Sequence, residues 1–218
     1  SYVSAPVEWA AEYPFIPAAS PEVRELFAER LCSGLSTSKH NGMVRFRLEQ
    51  GTKMTEKFIT RKVRGDGNCL FRSLSYLVTG SERNHSAIRR AICDYIAQCK
   101  QDSAVQKYIG HEPGRCYIDR MRMRQEDTSW GTDVEIYAAC QMMECDIFTF
   151  TDPHNKTRKL QWQRLPFDDP TRRSEMQVAR REARQAGVPF NPPPPVYKEA
   201  LYLDHSKGNH YDAVVGFK

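Results

Sequence analysis

Cys69 sits where a glycine-bearing turn, Gly65-Asp66-Gly67-Asn68, runs into an apolar helical pattern. Leu70, Phe71, Leu74, Leu77 and Val78 recur behind it at helical spacing, and Gly80 offers a stop. The start of a helix carries partial positive charge and free N–H groups, and both favour a thiolate over a thiol. The same turn can aim N–H groups at a developing oxyanion, with Gly65 and Gly67 permitting unusual backbone angles. Far along the chain, Gly208-Asn209-His210-Tyr211-Asp212 opens a strand-like stretch. Alternation along a strand puts His210 and Asp212 on one face and Tyr211 on the other. The acid can then accept the Nδ1–H of the ring and hold it for work as a base. Together the three residues make a thiol version of the acyl-transfer triad. Each piece alone has a plainer explanation: a buried structural cysteine after a turn, and a histidine and aspartate satisfied by solvent at a loop edge.

The surrounding pattern supplies elements to hold these groups. Ser20-Pro21-Glu22 opens a helix whose apolar face reads as Val23, Leu26, Phe27 and Leu31, with Gly34 as a stop. Val44, Phe46 and Leu48 alternate with Arg45 and Arg47 like a strand, and residues 57–63 read as a second extended piece. A helix fits residues 85–99, with Ile88, Ala91, Ile92, Tyr95 and Ile96 inward; shorter helical pieces fit near 103–109 and 115–125. Thr132 and Glu135 match a capping box that opens a helix through Met143. Residues 145–151 read as a strand with a hairpin partner at 158–164. The last two strands, 200–204 and 211–217, are joined by the polar loop His205–Asn209. Helices mixed with short strands of this kind give an α+β domain, a small and mostly antiparallel sheet flanked by helices. We expect residues 1–56 to be an N-terminal arm, helix and short strand packed on a catalytic domain at 57–218. Residues 165–199 stand apart as an insertion, with an Arg-rich helix at 172–186 and a proline run at 192–195.

Composition narrows the classes. The 218 residues suit one domain, and a net charge of +5 argues against nucleic acid as the partner. The stretch 172–186 carries five arginines against two glutamates and reads as a solvated helix face. Seven scattered cysteines without a CxxC pair argue against a disulfide framework and a zinc site, so no metal or cofactor is expected. Cys93 and Cys140 fall within apolar helical patterns as small core residues. Free thiols fit a reducing compartment, cytoplasmic or nuclear. No apolar run is long enough for a membrane span, no secretory signal is expected at the start, and a monomer is expected.

Asp66-Gly67-Asn68-Cys69-Leu70-Phe71-Arg72-Ser73, followed by Gly208-Asn209-His210-Tyr211-Asp212, resembles the ovarian-tumour (OTU) family of deubiquitinating cysteine proteases. A third landmark agrees: Trp130-Gly131-Thr132-Asp133-Val134-Glu135-Ile136, leading through a helix into Asp146–Phe150, resembles the family's Trp-Gly segment. The resemblance covers roughly residues 58–165 and 198–217. It implies a papain-like OTU fold and thiol-dependent hydrolysis of isopeptide bonds to ubiquitin, polyubiquitin or another ubiquitin-like modifier. Cys69 matches the nucleophile, His210 the general base and Asp212 the third triad member. Asp66 matches the acid of the Asp-x-x-Cys turn, whose backbone through Gly67 and Asn68 helps form the oxyanion hole. Trp130, Gly131, Asp204, His205 and Asn209 match the walls around the substrate's C-terminal tail, and Glu126 and Asp127 are acids near them. The alternative is an inactive OTU-fold module that only binds ubiquitin. The long insertion and the composition of residues 110–129 depart from the family pattern, and these parts would set partner and linkage choice.

Overall fold

Helical and strand periodicities separate along the chain, and the fold sorts them into layers. This computed structural model describes residues 8–9, 13–35, 44–47, 53–55, 57–100, 103–109, 130–152 and 159–218. Its helices are α1 (Pro21–Leu31), α2 (Cys69–Thr79), α3 (His85–Gln98), α4 (Ala104–Ile109), α5 (Asp133–Met143) and α6 (Pro170–Ala186). Its strands are β1 (Glu8–Trp9), β2 (Phe58–Arg61), β3 (Ile147–Thr151), β4 (Gln161–Leu165), β5 (Leu201–Asp204) and β6 (Asp212–Phe217). They form one six-stranded sheet in the order β1-β4-β3-β5-β6-β2. β3 and β5 run parallel and the other described pairs antiparallel. The expected α+β class and mostly antiparallel sheet are present.

Local chemistry sets the helix ends. Ser20 Oγ accepts from the Val23 N–H at 3.2 Å, and Pro21 takes the first turn. At α5 the capping box forms in both directions: Thr132 Oγ1 accepts from the Val134 N–H at 3.2 Å, and Glu135 Oε2 accepts from the Thr132 N–H at 3.1 Å. Such caps contribute about 1 kcal/mol each. Gly80, at φ 74°, closes α2 in the left-handed region.

Alternation along β5 divides the core. Leu201 and Leu203 face the helices, where they join Leu70, Leu74, Ile92 and Ile136. Tyr202 faces the opposite side and joins an aromatic layer of Phe15, Phe148, Phe150, Trp162 and Phe217. The N-terminal arm supplies part of that layer. Phe15 meets Tyr202 and Phe217 edge-on at 4.5 and 4.7 Å, and the Ile16 N–H donates to the Tyr202 hydroxyl at 2.8 Å.

Two expectations are corrected. Leu26, assigned to the inner face of α1, is 47% exposed, while Arg24 is fully buried. The inward positions are 24, 27, 28 and 31, a helical stripe that admits Arg24 because its Nη1 donates to the carbonyls of Ala18 and Ala19 at 3.1 and 2.6 Å. The strand expected at Val44–Leu48 is reduced, among the described residues, to an isolated bridge from Arg47 to Gly216. Leu48, the helical piece at 115–125, Cys116, Glu126 and Asp127 lie outside the described residues.

The insertion leaves the sheet and rejoins it at one level. Leu165 and Leu201 both pair with Ile147, on either side of β3, so they stand about 10 Å apart, two strand spacings. Between them α6 buries no residue. Its Arg172 guanidinium donates to the Pro193 carbonyl, and Tyr197 packs edge-on against Tyr13 at 5.3 Å. Among the described residues no helix is long and apolar enough to cross a membrane. Replacing residues 168–196 with about four Gly and Ser residues, which reach ~13 Å, should keep one cooperative melt with Tm within about 3 °C of the parent. Loss of the cooperative transition in a calorimetric scan would show that the insertion belongs to the core.

Candidate active site

α2 begins at Cys69 and packs its first turns on the start of β6. Ser73 Oγ donates to the Tyr211 carbonyl at 3.2 Å. Tyr211 thus follows His210 and precedes Asp212 at the point where α2 rests on β6. The residues 69 and 210–212, remote in sequence, are thereby brought together.

His210 and Asp212 share a face, as strand alternation requires. His210 Nε2 lies 2.8 Å from Asp212 Oδ1. That oxygen also accepts the Val63 N–H at 2.9 Å, and Asp212 is only 4% exposed. The nitrogen on Asp212 is Nε2 and not the expected Nδ1. Residues two apart on a strand are separated by about 6.6 Å, which the more distal nitrogen bridges. Nδ1 is left on the side of Gly65, where a Cβ would stand 3.9 Å from both Nδ1 and Cε1. Tyr211, pointing the other way, is buried and stacks on His205, with ring centroids 4.0 Å apart and planes at 4°.

The turn before Cys69 is braced by Asp66. Its Oδ1 accepts the Asn68 N–H at 2.9 Å, and Arg72 grips the carboxylate through Nε at 3.1 Å and Nη2 at 2.8 Å. Burial opposes ionisation, yet the hydrogen bonds from Arg72 and Asn68 and the charges of Arg72 and Arg64 hold the carboxyl below its ordinary pKa. The expectation that amides of the 66–69 turn await an oxyanion narrows here. The Asp66 N–H donates to Arg64 O at 3.1 Å, the Asn68 N–H to Asp66, and the Cys69 N–H to Asp66 O at 3.2 Å. Gly67 N–H has no partner among the described residues, and the long bond from Cys69 is the next easiest to redirect. Gly65 and Gly67 are not in the left-handed region, so the turn does not use the angles anticipated for them.

The thiol also departs from expectation. Burial pushes the Cys69 pKa above its ordinary value and the Asp66 carboxylate adds to the rise, against the N–H groups of Tyr211 and Leu70. At 6% exposure, desolvation outweighs the helix start, so the resting group is a thiol.

The expected walls separate into exposed and structural residues. Trp130 is 48% exposed and Asn209 is exposed. Asp204 accepts the Ser206 N–H at 2.9 Å. Gly208, at φ 75°, turns the loop back, its N–H donating to His205 O at 3.1 Å. His205 is tied into the sheet: its Nδ1 lies 3.2 Å from Thr151 Oγ1, its ring backs Tyr211, and burial lowers its pKa. Gly131 packs on Leu70, the neighbour of Cys69; an added Cβ would meet Leu70 Cδ2 at 2.4 Å and Cβ at 3.0 Å. Sequence reasoning gave no role to Val63, Arg72 or Arg89, although Arg72 lies within the motif. Among the described residues, no three His, Cys, Asp or Glu side chains are grouped to hold a metal ion.

The OTU-like cysteine protease family matches residues 64–176, just over half of the chain. The chain belongs to this family. The matched segment holds the Cys69 turn and Trp130-Gly131 and ends before β5, so it is the fold that adds His210 and Asp212 to the OTU segment. The chain is similar to the OVARIAN TUMOR DOMAIN-containing deubiquitinating enzyme 9 of Arabidopsis thaliana, at 29% identity over 93 residues, covering 43% of this chain and 25% of that protein. It thus spans about a quarter of the length of this curated relative. Among solved structures, the viral OTU domain protease from Dera Ghazi Khan virus is 20% identical with a TM-score of 0.49, covering 73% of this chain and 81% of that one. The Hazara virus OTU bound to ubiquitin is 16% identical with a TM-score of 0.47, again covering 73% and 81%.

Two outcomes follow for this OTU domain. Gly131→Ala should destabilise it by about 1–3 kcal/mol in denaturant titration, because Leu70 cannot withdraw without moving the start of α2. Alkylation of Cys69 by iodoacetamide, followed by peptide mapping, should quicken about tenfold per pH unit between pH 6 and 8. The sign follows from the raised thiol pKa: below it, the thiolate fraction grows with pH. A plateau beginning near pH 6 would instead reveal a preformed thiolate.

Proposed function

We propose that this OTU domain is a deubiquitinase that hydrolyses the isopeptide bond at the C-terminal glycine of ubiquitin, or of a ubiquitin-like modifier, with Cys69 as nucleophile. The observation that carries the reading is the meeting of the first residue of α2 with the start of β6. There Ser73, one turn on from Cys69, donates to the Tyr211 carbonyl at 3.2 Å, and Tyr211 lies between two residues whose side chains form a His–Asp pair. Family membership points to thiol chemistry, and the Arabidopsis relative's name favours ubiquitin as the acyl donor.

In this mechanism His210 takes the thiol proton through Nδ1, the nitrogen that Asp212 leaves free, as the sulfur attacks the glycine carbonyl. Because burial keeps the resting thiol protonated, this transfer accompanies attack. The oxyanion is received by the N–H groups of Gly67 and Cys69. Collapse breaks the C–N bond, His210 returns its proton to the leaving lysine amine, and a thioester remains. Water, deprotonated by His210, attacks the thioester; the C–S bond breaks and the thiol is restored. Asp212, fixed by the Val63 N–H, orients the ring and stabilises the imidazolium. Trp130, Asp204 and Asn209 flank the course of the ubiquitin tail.

Ubiquitin carrying a C-terminal electrophile should label the wild type covalently, and Cys69→Ala should abolish both labelling and turnover while retaining the fold. Unlabelled wild type that still binds ubiquitin would instead mark a binding module. Asp212→Ala should lower kcat/KM by roughly 10- to 1000-fold, about 1.4–4 kcal/mol of transition-state stabilisation. Asp212→Asn should cost less and His210→Ala more. Wild-type activity in Asp212→Ala beside a dead His210→Ala would move the orienting role to another residue.

A further inference from the structure

Arg89 lies on α3, is 2% exposed, and sits over the Phe71 ring at 4.8 Å. Its Nη1 donates to the Gly67 carbonyl at 3.2 Å and to Asn68 Oδ1 at 3.0 Å. Both acceptors are in the turn before Cys69, 21 and 22 residues from Arg89 in the chain. Arg24, the other large buried cation, serves the approach to its own helix through Ala18 and Ala19. Arg89 instead crosses from one helix to the start of another.

Two consequences follow from what it grips. The Gly67 carbonyl and the Asn68 N–H belong to one planar peptide unit and point in opposite directions. Arg89 holds the first, and the Asp66 carboxylate, itself clamped by Arg72, holds the second. The plane is pinned at both ends, so the neighbouring Gly67 and Cys69 amides have a fixed aim. Asn68 stands at the N-cap of α2, a position where Asn ordinarily turns its side chain onto the first amides of the helix. Here it makes no such bond. A guanidinium can only donate, so the amide must present its oxygen to Arg89. Asn68 Nδ2 has no partner, and among the described residues Arg89 is what holds this side chain. With Asn68 drawn away, no capping side chain competes for the first amides of α2.

We propose that Arg89 is a positioning residue for the reaction, resting on the deubiquitinase reading of the site. By holding the Gly67 carbonyl and the Asn68 side chain inward, it aims the turn's amides and keeps the N-terminus of α2 free for the sulfur and the oxyanion. The guanidinium touches neither substrate nor reacting atoms; it acts through the turn.

The test compares the full chain with Arg89→Met, which keeps the length and removes the donors, and Arg89→Lys, which retains one charge without the fork. Amide hydrogen exchange is read on peptides spanning 64–70 and 73–79, and kcat and KM on ubiquitin bearing a C-terminal fluorogenic amide. In Arg89→Met, exchange at 64–70 should rise at least about tenfold with 73–79 within about twofold. Its kcat should fall roughly 10- to 100-fold with KM within about threefold, and Arg89→Lys should fall between. Should Arg89→Met fail to fold, Arg89→Lys decides by the same comparisons. Unchanged exchange at the turn overturns the proposal, as does an equal rise in both peptides, which would mark general packing, or an unchanged kcat over a loosened turn. A wild type that hydrolyses nothing would sink the deubiquitinase reading alone, while the exchange comparison still decides whether Arg89 holds the turn.

Discussion

One buried oxygen, Asp212 Oδ1, joins the parts on which the site depends. It accepts the Val63 N–H, from the segment that leads out of β2 into the Cys69 turn, and it meets His210 on its own strand. Asp212 is also the first residue of β6, paired with Asp204 across to β5. The carboxylate thus ties the approach to α2, the start of β6 and the imidazole to one point. Removing it would leave a buried N–H without an acceptor, a penalty of about 1–3 kcal/mol in addition to any loss of chemistry. An imidazole partner that also ties two remote chain segments together is hard to loosen by small motions.

The surroundings of that point are dry. Cys69, Asn68 and Asp212 are each at most 6% exposed, and the cations nearby have been placed to bond carbonyls and carboxylates. Dryness strengthens hydrogen bonds to the sulfur and the turn, but it also raises the thiol. The two effects cannot be separated, because the same packing of α2 on β6 produces both.

What could be read from the sequence was local or strictly periodic. The capping box at Thr132 and Glu135, the glycine stop at Gly80 and the alternation of His210 with Asp212 depend on neighbours within a few residues, and all three are present. The spans of α2, α3 and β3 followed from apolar spacing in the same way. Buried arginines are not legible in the sequence, because a charged side chain predicts an outward position. Yet Arg24 precedes Phe27, Ala28 and Leu31, and Arg89 precedes Cys93 and Ile96, at the spacing of one helix face. The apolar stripe already ran through them. The ring nitrogen facing Asp212 and the direction of the thiol shift depend on burial and on contacts between remote segments, which spacing does not encode.

The burial of Cys69 also bears on its oxidation. Peroxide attacks thiolates, and exposed low-pKa cysteines are the ones that pass to sulfenic and then irreversible acids. A thiol kept protonated and 6% exposed is a poor entry to that ladder. The burial that sets the acidity of Cys69 also makes its sulfur slow to rust, so peroxide should consume it more slowly than an exposed thiolate.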